Sequence, residues 1–172
     1  MPADIDKFHE LAKKYNLKVI TDSAQSPGAR INESITGTVA DIGGFSLNYH
    51  KHIHTGEGGI LVTDDDNLAQ RARLIRNHAE SVVEGAGVAD LNNMVGFNFR
   101  MTEIEAAIGL SQLNKLEKIV KRRQFEADYL NTRLSKLPGL ITPKVYEGNT
   151  HVYYTYALQI DRNIIKESKF EI

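Results

Sequence analysis

The stretch Phe45-Ser-Leu-Asn-Tyr-His-Lys-His-Ile-His-Thr-Gly-Glu-Gly-Gly59 decides how the rest of the chain is read. The apolar run Ile42 to Leu47 predicts a buried strand, and it leads into a polar turn that holds one lysine, Lys51, among three histidines. Lys51 is therefore expected at a strand end. Gly56, Gly58 and Gly59 give the backbone the freedom for a tight return before a second strand, Ile60 to Thr63. A lysine at a strand end is ordinarily a solvated charge. Surroundings that disfavour its ammonium make it a nucleophile, able to form a Schiff base with a carbonyl substrate or with pyridoxal phosphate. That role needs an acid facing the pyridine nitrogen and donors for the phosphate.

Both kinds of partner are present. Leu17 to Thr21 reads as a short strand after a helix, with Asp22 at its carboxyl end. Ligands of open α/β sheets bind at the carboxyl ends of strands, so Asp22 and Lys51 are expected to face one crevice. Ser46, five residues before Lys51, offers a hydroxyl to a phosphate.

Together these residues resemble the DegT/DnrJ/StrS family of pyridoxal-phosphate-dependent sugar aminotransferases. The resemblance is carried by Asp22-Ser-Ala-Gln25, Gly43-Gly-Phe-Ser46, Lys51 with Thr55-Gly-Glu-Gly-Gly59, Arg76-Asn-His78, and Gly96-Phe-Asn98-Phe-Arg100 followed by Glu103 to Ala107. It runs from about Pro2 to Tyr156 in the family's order. It implies that Lys51 carries the cofactor covalently and that Asp22 pairs with the pyridine nitrogen. Gln25 would lie against the ring near its phenolic oxygen, Ser46 would bind the phosphate, and Asn98 would reach the phosphate of a neighbouring subunit. The chain departs from the family pattern at Ser23, where alanine is frequent, at His52, where asparagine is common, and at Tyr154, where many relatives carry histidine.

The implied fold is α/β: part of the large domain of a fold-type-I aminotransferase, a mostly parallel sheet with helices on both faces, then the start of a small α+β domain. Residues 1–115 would be the carboxyl-terminal part of the cofactor-binding domain, and 116–172 a linking helix and the start of the small domain. The implied activity is amination of a nucleotide-linked keto sugar with an amino acid donor such as glutamate, in a homodimer. Relatives carry a long region ahead of the opening helix, and the small domain is begun without being finished. The isolated chain is therefore expected not to catalyse.

Composition sets the outer bounds. With 172 residues, 41% hydrophobic and a net charge of −1, the chain fits a globular domain or parts of two and lacks the basic footprint of a nucleic-acid binder. Its longest apolar runs are strand-length, so no membrane segment is expected. The absence of cysteine suits a reducing compartment, and the first residues lack the pattern of a signal peptide, which makes cytoplasm the expected location.

Outside the motifs, Ile5, Phe8, Leu11, Ala12 and Tyr15 predict an opening helix, and Leu68, Ala72 and Ile75 a second one, with Arg71, Arg73 and Arg76 as its solvated or end charges. Residues 26–41 read as a surface excursion and 78–95 as a loop. Thr102-Glu-Ile-Glu105 is a capping box that should open one long helix, bent near Lys121 to Gln124 and stopped by Pro138-Gly139. Val152 to Ile160 predicts a strand.

Three other readings compete. His50, His52 and His54 alternate, so on a strand they could bind a divalent metal as a hydrolase does, although Lys51 interrupts them and the glycines argue against a regular strand. A pyridoxal protein could dehydrate a sugar instead. A non-catalytic relative could keep the fold, yet a fold alone requires neither Lys51 nor Asp22.

Overall fold

The computed structural model describes residues 1–79 and 94–166. Most of the loop expected over 78–95 lies outside them. Local signals set several element ends. Helix α1 (Ile5–Tyr15) stops on Asn16, whose left-handed conformation (φ 51°) lets its N–H bond the Ala12 carbonyl. Helix α2 (Asp66–Arg76) starts on Asp65, whose carboxylate accepts from the N–H groups of Asn67 and Leu68. Helix α3 (Glu103–Leu113) starts on the Thr102–Glu105 capping box, with both reciprocal bonds formed.

The central sheet is built from β1 (Ile20–Asp22), β4 (Ile42–Ser46) and β5 (Gly59–Val62), in the order β1-β4-β5. Its α/β character is as expected, and its pairing is mixed: β1 and β4 are parallel, whereas β4 and β5 are antiparallel. The reason is the short return through the glycine turn, which brings β5 back beside β4 without a crossover. Asp41 ties the three strands at their base. It accepts from Val19 N–H at 2.8 Å and from Lys18 Nζ at 2.7 Å, and its carbonyl accepts from the Thr63 hydroxyl at 2.6 Å.

Residues 26–41, with the turn from Ser23 that leads into them, are more than the expected surface excursion. They form the two-stranded pair β2 (Arg30–Ile31) and β3 (Ser34–Ile35) and a 3-10 turn at Thr36–Thr38. Ser23, Ala29 and Thr36 in this stretch are buried. Small residues make that possible. Ala29 packs with Val120 and Val152, and Leu116 covers the cluster. At the other side of the turn, Gly37 lies so close under β4 that a Cβ on Gly43 would overlap the Gly37 carbonyl.

The expected long helix is two. After α3 the chain breaks at Asn114–Lys115 and resumes as α4 (Leu116–Leu134), with no bend element at Lys121 to Gln124 and an end ahead of Pro138. Neither glycine nor proline marks the break. The apolar positions Ile104, Ile108 and Leu113 are exposed, whereas Val120 and Ala127 of α4 are buried.

The strand expected over 152–160 is shorter. Only Gln159–Ile160 (β7) is a strand, antiparallel to Leu140–Ile141 (β6). Residues 151–156 instead form an irregular strap whose backbone is bonded by side chains of α4. Gln124 Nε2 donates to the His151 carbonyl at 3.1 Å, Arg123 donates to the Tyr153 carbonyl at 3.0 Å, and the Tyr156 hydroxyl donates to Asn131 Oδ1 at 2.6 Å. Those bonds replace a sheet ladder as the way the strap's polar groups are satisfied.

Candidate functional site

The sheet register brings two of the sequence-derived residues onto one face. Partners across a ladder point to the same side, and so do alternate residues along a strand. Asp22 is the partner of Gly44, and Ser46 lies two residues beyond Gly44 on β4. The side chains of Asp22 and Ser46 therefore share a face at the carboxyl ends of adjacent parallel strands. Between them the floor is open: a Cβ on Gly44 would meet no heavy atom within 4 Å. The adjacent Gly43 faces the opposite, filled side.

The polar groups on this face are incompletely spent. One Asp22 oxygen accepts from Ala24 N–H at 3.0 Å, and the residue is otherwise exposed. Ser46 Oγ accepts from Asn48 N–H at 3.2 Å, which leaves its proton to donate elsewhere. Gln25 sits in the turn just after Asp22 and is exposed.

Lys51 lies in the turn that follows β4. Asn48 shapes that turn. Its carbonyl accepts from Lys51 N–H at 2.9 Å, its Oδ1 accepts from His50 N–H at 3.2 Å, and its Nδ2 donates to Glu57 Oε1 at 2.8 Å. Gly58 closes the turn with φ 149°, and its carbonyl accepts from Leu47 N–H at 2.8 Å. The Lys51 amine is half-buried and makes no ion pair among the described residues. It rests 4.7 Å from the centroid of the Tyr154 ring.

The three histidines do not form a ligand set. His52 is buried, and its Nε2 is committed to the Val152 carbonyl at 2.8 Å, whereas His50 and His54 are exposed. Among the described residues no group of three or more His, Cys, Asp or Glu is arranged to hold a metal ion. Burial pushes the His52 pKa down, the bond to Val152 opposes that shift, and the charges of Arg123 and Lys51 add to it. His52 is thus a neutral donor that fastens the strap to the Lys51 turn.

Asn98 is placed by a different segment. Its segment is laddered to the end of α2, through Phe97 N–H to the Ile75 carbonyl at 2.7 Å and Phe99 N–H to the Arg76 carbonyl at 3.0 Å. Asn98 is exposed between Phe97 and Phe99, whose rings stack at 5.0 Å. No hydrogen bond joins it to Asp22, Ser46 or Lys51.

Sequence reasoning missed the roles of Asn48, Gly44 and Arg123. An asparagine just after a strand is a turn signal that could have pointed to Asn48. Gly44 and Arg123 gain meaning only from register and from packing.

A carboxylate and a hydroxyl flanking an open floor, with an amine in the next turn that has no counter-ion among the described residues, suit pyridoxal phosphate: an anion for the pyridinium, a donor for the phosphate and a nucleophile for the aldehyde.

The comparisons with known proteins follow the same line. The model of the DegT/DnrJ/EryC1/StrS aminotransferase family matches residues 1–171. GDP-perosamine synthase of Caulobacter vibrioides is 35% identical over 94% of this chain and 43% of its own length. UDP-4-amino-4,6-dideoxy-N-acetyl-beta-L-altrosamine transaminase of Campylobacter jejuni is 30% identical over 98% of this chain and 45% of its own length. The crystal structure of S. venezuelae DesV in complex with a ketimine intermediate superposes with a TM-score of 0.83 at 30% identity, covering 94% of this chain and 42% of that one. The chain spans less than half the length of these relatives.

Proposed function

The chain belongs to the DegT/DnrJ/EryC1/StrS aminotransferase family, and from that premise we propose that it contributes the cofactor site of an aminotransferase that converts a nucleotide-linked keto sugar to an amino sugar. The amino donor is an amino acid such as glutamate. The observation that carries this reading is the shared sheet face of Asp22 and Ser46 over the open floor at Gly44, with Lys51 in the turn beyond. The nucleotide sugars in the names of the Caulobacter and Campylobacter relatives support the substrate class.

Pyridoxal phosphate, when bound, supplies the electron sink that takes up carbanion charge. Lys51 would hold that group through its amine, and its Nζ, when free, would move the proton of the donor's α carbon. Asp22 holds the proton on the ring nitrogen by its negative charge. Ser46 would donate its hydroxyl proton to the phosphate, and Gln25 would border the ring. Asn98 serves the phosphate of a neighbouring subunit, so the active unit is a homodimer.

A cofactor-binding part, 1–115, and a linking helix with the start of a small domain, 116–172, are the proposed division, and the break between α3 and α4 supports it. The two parts pack on each other through Ala29, Val120 and Val152. Among the described residues no helix is long and apolar enough to cross a membrane. The cytoplasm is the proposed location.

Borohydride reduction of the protein with pyridoxal phosphate, followed by peptide mapping, tests the assignment. The pyridoxyl label is expected on Lys51. Label on another lysine, or a spectrum that does not respond to glutamate in a holo-protein, would sink it.

A further inference from the structure

The Lys51 amine, lacking a carboxylate partner among the described residues, is held by an aromatic face. The ring of Tyr154 lies 4.7 Å from Lys51 Nζ. That ring is not free to wander. One residue upstream, Tyr153 adopts φ 48°, a conformation a bulky side chain rarely takes, and it is kept there by its N–H to His151 Nδ1 at 2.8 Å and by the Arg123 bond to its carbonyl. Two residues upstream, the Val152 carbonyl is gripped by His52, the residue next to Lys51. The turn that carries Lys51 is therefore fixed to the strap that carries Tyr154 by the His52 bond, and the strap is itself held to α4 by Arg123.

We propose that Tyr154 is a positioning residue for Lys51: its ring is the rest on which the Lys51 ammonium sits before the amine condenses with the cofactor, with His52 and Arg123 setting its place. This rests on the reading of Lys51 as the cofactor lysine. A carboxylate in the same position would hold the amine as a tight ion pair, whereas a ring attracts the cation weakly and releases it without a proton transfer. Lys51 is kept within reach and remains free to leave.

The test uses the protein with its lysines methylated from 13C-formaldehyde. The Lys51 resonance, assigned by its loss in Lys51→Arg, is expected upfield of the solvated lysines because of the ring current. Tyr154→Phe keeps that displacement and Tyr154→Leu abolishes it. On unmethylated protein, the first-order step in which the Lys51 amine condenses with the aldehyde of bound pyridoxal phosphate, releasing one water, slows about two- to fivefold in Tyr154→Leu and is unchanged in Tyr154→Phe. A wild-type Lys51 resonance among the solvated lysines overturns the proposal and needs no variant to fold. So does a closure rate that is equal in Tyr154→Leu and wild type, or one that falls as far in Tyr154→Phe. Borohydride label on a lysine other than Lys51 overturns the cofactor assignment instead, and leaves the ring-current result standing as a contact without that role.

Discussion

The carbonyl oxygen of Val152 accepts a hydrogen bond from Nε2 of His52 at 2.8 Å, across 100 positions of sequence. A carbonyl can only accept, so Nε2 carries the proton and Nδ1 is bare. That Nδ1 is buried with no partner among the described residues. The imidazole is thus held neutral in one tautomer, and the strap depends on it.

Acid should loosen the strap. The pKa of His52 is lowered chiefly by burial, and that of His151 is lowered to about 4 by desolvation and then by the amino-terminal charge. His151 Nδ1 must also stay unprotonated to accept from Tyr153 N–H. Both groups bind protons more readily when unfolded, so the stability they contribute is present above about pH 6.5 and is lost as pH falls toward the folded values. Urea midpoints measured from about pH 7.5 down to 5 should decline, and a flat series would exclude the linkage. His52→Leu, which strands the Val152 carbonyl, should cost about 1–3 kcal/mol at neutral pH and leave a shallower pH dependence.

Adjacent glycines should separate folding from binding. Gly43→Ala drives a methyl into the Gly37 carbonyl and should destabilise by about 1–3 kcal/mol or more. Gly44→Val adds bulk where nothing lies within 4 Å, so its thermal midpoint should stay near wild type while affinity for pyridoxal phosphate falls. Calorimetry and cofactor titration on the two variants decide the matter. Equal cofactor affinity in Gly44→Val and wild type would show that the open floor is not where the ring rests.

Asp22→Asn is the clean probe of the acid. The variant keeps an oxygen to accept from Ala24 N–H, so the turn survives, and an exposed side chain loses little by the change. What it loses is the charge proposed to face the ring nitrogen. Placed in the complete aminotransferase, the change should lower turnover by on the order of 10² or more, the scale seen when one preorganised electrostatic contact is removed. Amination at near-normal rates would refute the role.

Several of these elements were legible because their codes are local. Thr102 and Glu105 are three residues apart and form the capping box their types predict, and the apolar run after Ile42 and the glycines before Ile60 mark β4 and β5. The strap was not legible, because its bonds come from Arg123, Gln124 and His52, roughly 30 to 100 positions away, and β-rich composition at Val152 to Tyr156 says nothing of that. The apolar spacing of Ile104 and Ile108 is that of a helix, but periodicity does not say whether that face is covered, and here it is exposed. Of the candidate site, residue types and order were readable. The open face at Gly44 needed the register.

Asn98 poses the remaining question, since it is proposed to serve a site that its own chain does not bring to it. Its segment is fixed to α2 by the Ile75 and Arg76 carbonyls and by Arg100 donating to Asn77 Oδ1 at 2.9 Å, and no hydrogen bond joins Asn98 to the Lys51 turn. It is exposed, and the stacked Phe97 and Phe99 beside it are 49% and 65% exposed, which places it on an apolar surface of the kind that subunits cover. If sites are shared, a Lys51→Ala subunit and an Asn98→Ala subunit damage complementary halves. A heterodimer of the two then holds one site with both defects and one with neither. Each parent dimer should be nearly inactive, and the mixture should recover up to about half of the wild-type rate per heterodimer, following from that count of intact sites and from the symmetry of a two-fold interface. Differently tagged chains, co-purified so that the heterodimer is demonstrated, provide the measurement. No recovery in verified heterodimers would place Asn98 in its own chain's site or in none.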